Sequence, residues 1–408
     1  MKKLTMFAAL ATAVAVAAAA TLASASTRSH STSRIAAAAT AKVKCGKRRT
    51  IGLAYPATGD AASIGVFQAN WGKFAAKQWN KTHKKKVKLV FGDTQLPNTA
   101  QALAVAHQFA SNKKMLGLTG PAGSQEVATT NKVFKKGGLA AVSGSATAIH
   151  LTRSRPGDAR VTSPGFFYRT VPNDGQQGDR VAFWIAKKLK KKRVYIIDDE
   201  EAYSAGLADQ VQSRLKHTYH TNAKRDHVSQ GVSDFSSLIA RIPRNTQIVY
   251  IPWQLAPKAQ TFYLQYRASG RTGILFGSDG LFAPGTFEAK GAYVSSFPVD
   301  YSSKLLKRFK ASHKGKDQAF GLPSYTAVLI NATAVNKACK AGHGKTTRKA
   351  VRKMLTKVKL TAKQSLLGFP VKFLNRNFSS FQGPGDMASP ANFGIYHIKS
   401  NGVYVRVG

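Results

Sequence analysis

A chain of 408 residues with 43% apolar content holds enough material for two or three packed cores. It carries 62 lysines and arginines against 18 acidic residues, a formal charge of +44. The basic side chains are scattered over helix faces and turns, away from aromatic stacking platforms. This argues against a dedicated nucleic-acid reader and for a solvated basic surface that loosely attracts anionic cell-envelope polymers. Met1-Lys2-Lys3, the Ala/Val-rich run from Phe7 to Ala20 and the small-residue site Ala23-Ser24-Ala25 predict a secretory signal peptide over 1–25. The run is too short and too rich in alanine to read as a membrane span, and no other window approaches one. Residues 26–46, dominated at first by Ser, Thr, Ala and Arg, read as a disordered basic tether. The expected location is therefore periplasmic, or extracellular and envelope-associated. No cysteine lies near Ala25, so no lipid anchor is expected. The two cysteines, Cys45 and Cys339, permit one disulfide in an exported chain, and two unpaired thiols remain the alternative.

The next elements alternate. Thr50–Tyr55 reads as an apolar strand. Val66–Lys81 has helical spacing, with Phe67, Trp71, Phe74 and Trp79 largely on one face. Strands are expected at Val87–Phe91, Leu116–Thr119 and Leu139–Val142, and helices at Thr99–Ser111 and Gln125–Lys136. The pattern then restarts, with helices at Val181–Lys190, Gly206–Leu215, Phe235–Ile242 and Lys258–Ser269. Strands are expected at Arg193–Ile197, Gln247–Ile251 and Gly273–Phe276. Tyr301–Met354 reads as long helices, and the C-terminus as a hairpin turning at Ser400-Asn401-Gly402. The fold class is α/β: two doubly wound, Rossmann-like lobes with a cleft between them.

Catalytic motifs fail on inspection. Gly344-Lys345-Thr346 lacks the glycine a phosphate loop needs at position 339, which is Cys339, and no strand precedes it. No Gly-x-Ser-x-Gly elbow occurs, and the ten histidines show no metal-ligand spacing. Asp198-Asp-Glu-Glu201 fans around a helix start rather than forming a dyad. No enzyme activity, metal or cofactor is expected.

Four segments, taken in order, carry a resemblance: Tyr168 to Gly178, Asp198 to Asp209, Asp234 to Ile242 and Gly277 to Gly280. Together they resemble the type I periplasmic binding proteins, in the branched-chain amino-acid (Leu/Ile/Val) class of ABC importers. The resemblance runs from about Arg49 to Gly408. It implies three chain crossings near Val171-Pro172, Phe297-Pro298 and Pro390-Phe393, with hinge closure on the ligand. One lobe would comprise 47–172 plus 299–390, the other 173–298 plus 391–408.

The resemblance also implies a site. Gly123, or Ala122 beside it, aligns with a serine that holds the ligand carboxylate; Ser124 and the helix-start amides would substitute. The loop holding Ser145, Ala146 and Thr147 would hydrogen-bond the carboxylate and amine. Tyr203 would cover the ligand from the second lobe. Asp279 stands where the family has a glutamate that pairs with the ammonium, one methylene shorter. Trp253, or its neighbour Gln254, aligns with a second tyrosine, and Ile64 replaces a first-loop aromatic. Read as residues alone, the same positions also suit a helix cap, hydroxyl turns, a packed tyrosine and an Asp-Gly turn. The expected function is extracytoplasmic capture of a small amino acid or related polar metabolite for an ABC permease, by a monomer. The alternatives are a sensor of the same fold for amides, urea or short organic acids, and a basic envelope protein with a vestigial cleft.

Overall fold

The computed structural model describes residues 31–154, 159–297, 304–312, 320–388 and 393–408. In chain order, α1 spans 31–40, followed by β1 (Val43–Lys44), β2 (Arg48–Tyr55), α2 (Ala62–Thr82), β3 (Lys86–Asp93), α3 (Thr99–Ser111), β4 (Met115–Thr119), α4 (Ser124–Lys136), β5 (Ala141–Ser143) and β6 (Phe167–Arg169). Then come α5 (Asp174–Phe183), β7 (Arg193–Asp198), α6 (Ala202–Tyr219), β8 (Asn222–His227), α7 (Ser236–Arg241), β9 (Ile248–Ile251), α8 (Ala256–Ala268), β10 (Ile274–Gly277) and β11 (Tyr293–Ser296). The remainder holds α9 (Lys304–Ser312), α10 (Gly321–Ala341), β12 (Lys345–Thr346), α11 (Arg348–Leu355), β13 (Lys359–Leu360), α12 (Ala362–Ser365), β14 (Val371–Lys372) and a C-terminal hairpin of β15 (Gly394–Ile398) and β16 (Tyr404–Arg406).

Two sheets organise these elements. The first is all parallel, in the order β3-β2-β4-β5-β6. The second runs β16-β15-β11-β10-β9-β7-β8; its five strands from β11 to β8 are parallel, and the C-terminal hairpin adds two antiparallel strands at β11. Parallel strands covered on both faces are apolar throughout. The last five residues of β2 and all of β4 and β9 are buried accordingly. Gly52 in β2 has a packing reason: a Cβ there would lie 2.8 Å from the Phe109 ring of α3. In the first lobe, the buried Trp71 of α2 stacks on Phe309 of α9 at 3.7 Å, and α10 contributes Leu322, Val328, Ile330 and Val335 to the same core. Among the described residues no helix is long and apolar enough to cross a membrane.

Two buried arginines fix loops in the first lobe. Arg348 at the start of α11 donates to the carbonyls of Phe109, Ala110, Asn112, Met115 and Gly137. One cation thus serves the unsatisfied C-terminal carbonyls of both α3 and α4. Burial, followed by the nearby charge of Arg352, lowers its guanidinium to about 10. Arg169 pairs with Asp386 at 2.5 Å, and Asp386 also accepts from Thr152 Oγ1 and Gly383 N.

The stretch expected to be a disordered tether departs from that expectation. Residues 31–40 are helical, and Ile35 and Ala38 are buried. The i, i+3 spacing of these two gives a narrow apolar stripe, and the surrounding alanines favour helix. β1 then pairs antiparallel with β12, and Cys45 and Cys339 form a disulfide within the first lobe. The expected signal peptide lies outside the described residues, as does most of the chain at the second and third expected crossings. At the first, the chain leaves β6 of one sheet at Arg169 and begins α5 of the second lobe at Asp174.

Candidate functional site

The C-terminal ends of both parallel sheets face a narrow cavity between the lobes. The first lobe contributes Ile64 from α2, Leu96 ahead of α3, Ala122 to Ser124 at the start of α4, Ser145 after β5 and Phe320 ahead of α10. The second contributes Tyr203 from α6, Gln254 after β9, and Asp279 and Gly280 after β10. The lobes touch beside the cavity: Gln254 Nε2 donates to Gln125 Oε1 at 3.0 Å, and Leu255 packs with Ala61 and Leu96. Within the second lobe, Gly280 lets the turn after β10 lie against the turn after β9, since a Cβ there would meet the Trp253 carbonyl oxygen at 2.6 Å.

Asp279 dominates the electrostatics. It is buried and accepts a 2.6 Å hydrogen bond from the Tyr203 hydroxyl. Among the described residues, no lysine, arginine or histidine forms an ion pair with it. Burial pushes its carboxyl up to about 6, against the opposing pull of the Tyr203 hydrogen bond. The phenols of Tyr203 and Tyr250 are raised by burial and then by the charges of Asp279 and Asp174. Two carboxylates therefore bear on one buried tyrosine pair, and their field favours a cation.

The opposite wall is suited to an anion. The amides of Ser124 and Gln125 precede the first bond of the α4 ladder, which runs from Val127 N to Gly123 O. The Gly123 amide is already engaged, donating to Glu126 Oε2 at 2.8 Å. Glu126 is buried and its carboxyl is pushed up to about 7 by that burial. Ser124 Oγ accepts from Ala148 N, so Gly123 rather than Ser124 is the cap residue of α4.

The expected residues divide. Ile64, Gly123, Ser124, Ser145, Tyr203 and Asp279 line one cavity. Ala146, Thr147 and Trp253 do not form its wall. Ala146 packs in the first-lobe core, and its carbonyl accepts from Arg169. Thr147 lies behind the wall, buried, with a hydroxyl that has no hydrogen-bond partner among the described residues. Trp253 points into the second-lobe core, donates from its indole to Ile197 O and stacks on Phe235; Gln254 takes the place at the cavity. Ser145 has little freedom: its hydroxyl donates to Ala122 O and accepts from the buried Gln68 amide. One lone pair remains, which suits an ammonium donor better than a carboxylate. Leu96, Gly280, Phe320 and the field of Asp174 went unread in the sequence. Asp174 could have been found, because it lies in the Pro172-Asn-Asp-Gly stretch that opens α5.

A family profile described as periplasmic binding protein matches residues 49–387. The chain belongs to the periplasmic binding protein family. An amino acid binding protein of Pseudomonas aeruginosa is 26% identical over 305 residues, covering 71% of this chain and 78% of the relative. The Leu/Ile/Val-binding protein BraC3 of Rhizobium johnstonii is 28% identical over 303 residues, covering 72% and 80%. The crystal structure of the leucine binding protein LivK of Thermotoga maritima superposes with a TM-score of 0.72 at 20% identity, over 88% of this chain and 98% of that one. This periplasmic binding protein thus shares with LivK the fold in which two α/β lobes face each other across a cavity.

Proposed function

We propose that this periplasmic binding protein captures a small α-amino acid with an apolar side chain between its lobes and delivers it, chemically unchanged, to an ABC permease. The observation that carries this reading is Asp279: a buried carboxylate that pairs with no cation among the described residues, in the wall facing the open amides of α4. A zwitterion supplies both missing charges. Ile64, Leu96 and Phe320 offer the apolar surface a side chain needs. The amino-acid-binding relatives support the same class. A leucine-sized ligand of about nine heavy atoms needs about 0.9 kcal/mol per atom for micromolar affinity, below the ceiling of about 1.5.

The test is a thermal-shift and calorimetric panel of amino acids, amides and organic acids. An amino acid present at about a hundredfold over its Kd should stabilise the protein by about 2.7 kcal/mol. Binding restricted to acids that lack an amine would overturn the zwitterion reading. Silence across the panel would favour a cleft without a transport role.

A further inference from the structure

The end of the first lobe opposite the cavity carries a large positive charge, with no acid among the described residues beside it. In this parallel sheet the strands start, and the connecting helices end, at one edge. There Arg48 of β2 lies beside Lys86 of β3, and Lys44 of β1 faces Lys345 of β12. α2 runs out into the exposed Lys84 and Lys85, and α4 into Lys135 and Lys136. Arg348, bound to the last carbonyls of α3 and α4, places the start of α11 and its exposed Lys349 at the same edge. The described acids of this lobe are elsewhere. Asp60 precedes α2, Asp93 ends β3, Glu126 opens α4 and Asp386 pairs with Arg169 at the end of β6. Helix C-termini attract cations, but only about half a charge's worth each.

A groove gives this charge a shape. It runs between α1 and the C-terminal end of α3, with about 1250 Å³ of open space. Arg34, Lys113 and Lys114 line it together with the polar Ser33, Ser111 and Asn112, and no carboxylate stands in its wall. Cations interleaved with hydroxyl and amide groups are what phosphate oxygens select. The large apolar side chains exposed elsewhere (Val66, Phe91, Val161, Leu264, Phe378, Val403, Val407) are absent from the groove, so it has no anchor for a bilayer. It also has no aromatic side chain on which a nucleobase could stack.

We propose that this groove and the lysines around it dock a linear polyanion with repeated phosphodiester groups, holding the protein to such a polymer by the end remote from its cavity. The proposal is independent of which ligand the cavity takes. It is tested on the full chain with a synthetic abasic phosphodiester oligomer as the probe, titrated between about 50 and 200 mM salt. Replacing Arg34, Lys113 and Lys114 by Gln should weaken binding at least about tenfold and reduce the salt slope by about three. The control Lys188→Gln, Lys192→Gln, Lys290→Gln removes the same charge from the second lobe and should cost less than about threefold. Thermal melting of both variants reports that they fold. Equal losses in the two variants would show attraction by net charge alone and overturn the proposal. Tighter binding, per phosphate, to phosphatidylglycerol vesicles or to an oligothymidylate than to the abasic oligomer would also overturn it.

Discussion

Asp279 is costly to the protein, and the ammonium group proposed for its ligand would offset that cost. Its carboxyl rises from an ordinary 3.8 to about 6 on burial, so the folded state holds a proton that the unfolded state has released. Between about pH 4 and pH 6 the folded form therefore binds more protons, and stability falls as pH rises through that window. Above about pH 6 the full cost, about 3 kcal/mol, is present and constant. Asp199 and Glu126, also raised by burial, add slopes of the same sign, so the measurement is a difference. Chemical denaturation of wild type and Asp279→Asn at pH 4 and pH 7 should show the variant gaining relative to wild type at the higher pH. The same substitution should weaken amine-bearing ligands by about 2 kcal/mol or more, because a desolvated charge partner is lost. In the wild type, affinity for an amino acid should climb about tenfold per pH unit up to about pH 6 and then level off, as read by calorimetry. A flat profile with an intact affinity in Asp279→Asn would place the ammonium elsewhere.

At the scale of elements, Arg348 makes α11 a capping device for α3 and α4. Arg348→Met should leave the buried carbonyls of Ala110 and Gly137 without donors and destabilise the protein by about 3 kcal/mol or more, measured by denaturant titration. Asp386→Ala should cost about 3–5 kcal/mol, because it strands the buried guanidinium of Arg169. Which elements could be read in advance follows from how they are buried. β2, β4 and β9 are continuous apolar runs, and α2 repeats its aromatics at helical spacing, so their patterns survive in one dimension. β8 reads Asn-Ala-Lys-Arg-Asp-His, an edge strand that pairs only with β7, and no pattern marks it. β6 and β11 are too short to show an alternation. α1 was obscured by its Ser/Thr/Ala composition, although Ile35 and Ala38 carry the spacing. Tyr203 and Asp279 were expected at the site from the family resemblance, and both line the cavity. Whether Trp253 or Gln254 faces inward depends on the turn after β9 and on the indole bond to Ile197 O. Leu96 and Phe320 enter from connecting segments of the first lobe, where only the tertiary approach puts them at the site.

At the scale of the molecule, the two lobes differ in how they are held. The second closes its sheet with the C-terminal hairpin at β11, while the first closes with a covalent bond. Cys45 and Cys339 are 294 positions apart, and both belong to the first lobe. Cys45→Ser should lower stability by about 2–5 kcal/mol in denaturant titration under oxidising conditions. It should leave ligand affinity unchanged, since neither cysteine borders the cavity. The bridge also makes the second lobe, apart from its C-terminal hairpin, an excursion within a covalent ring whose clasp is on the first. A pull exerted on the amino-terminal helix would pass through sulfur into α10 and leave the route through the cleft slack. Mechanical load on that end and the opening and shutting of the two halves are thereby uncoupled.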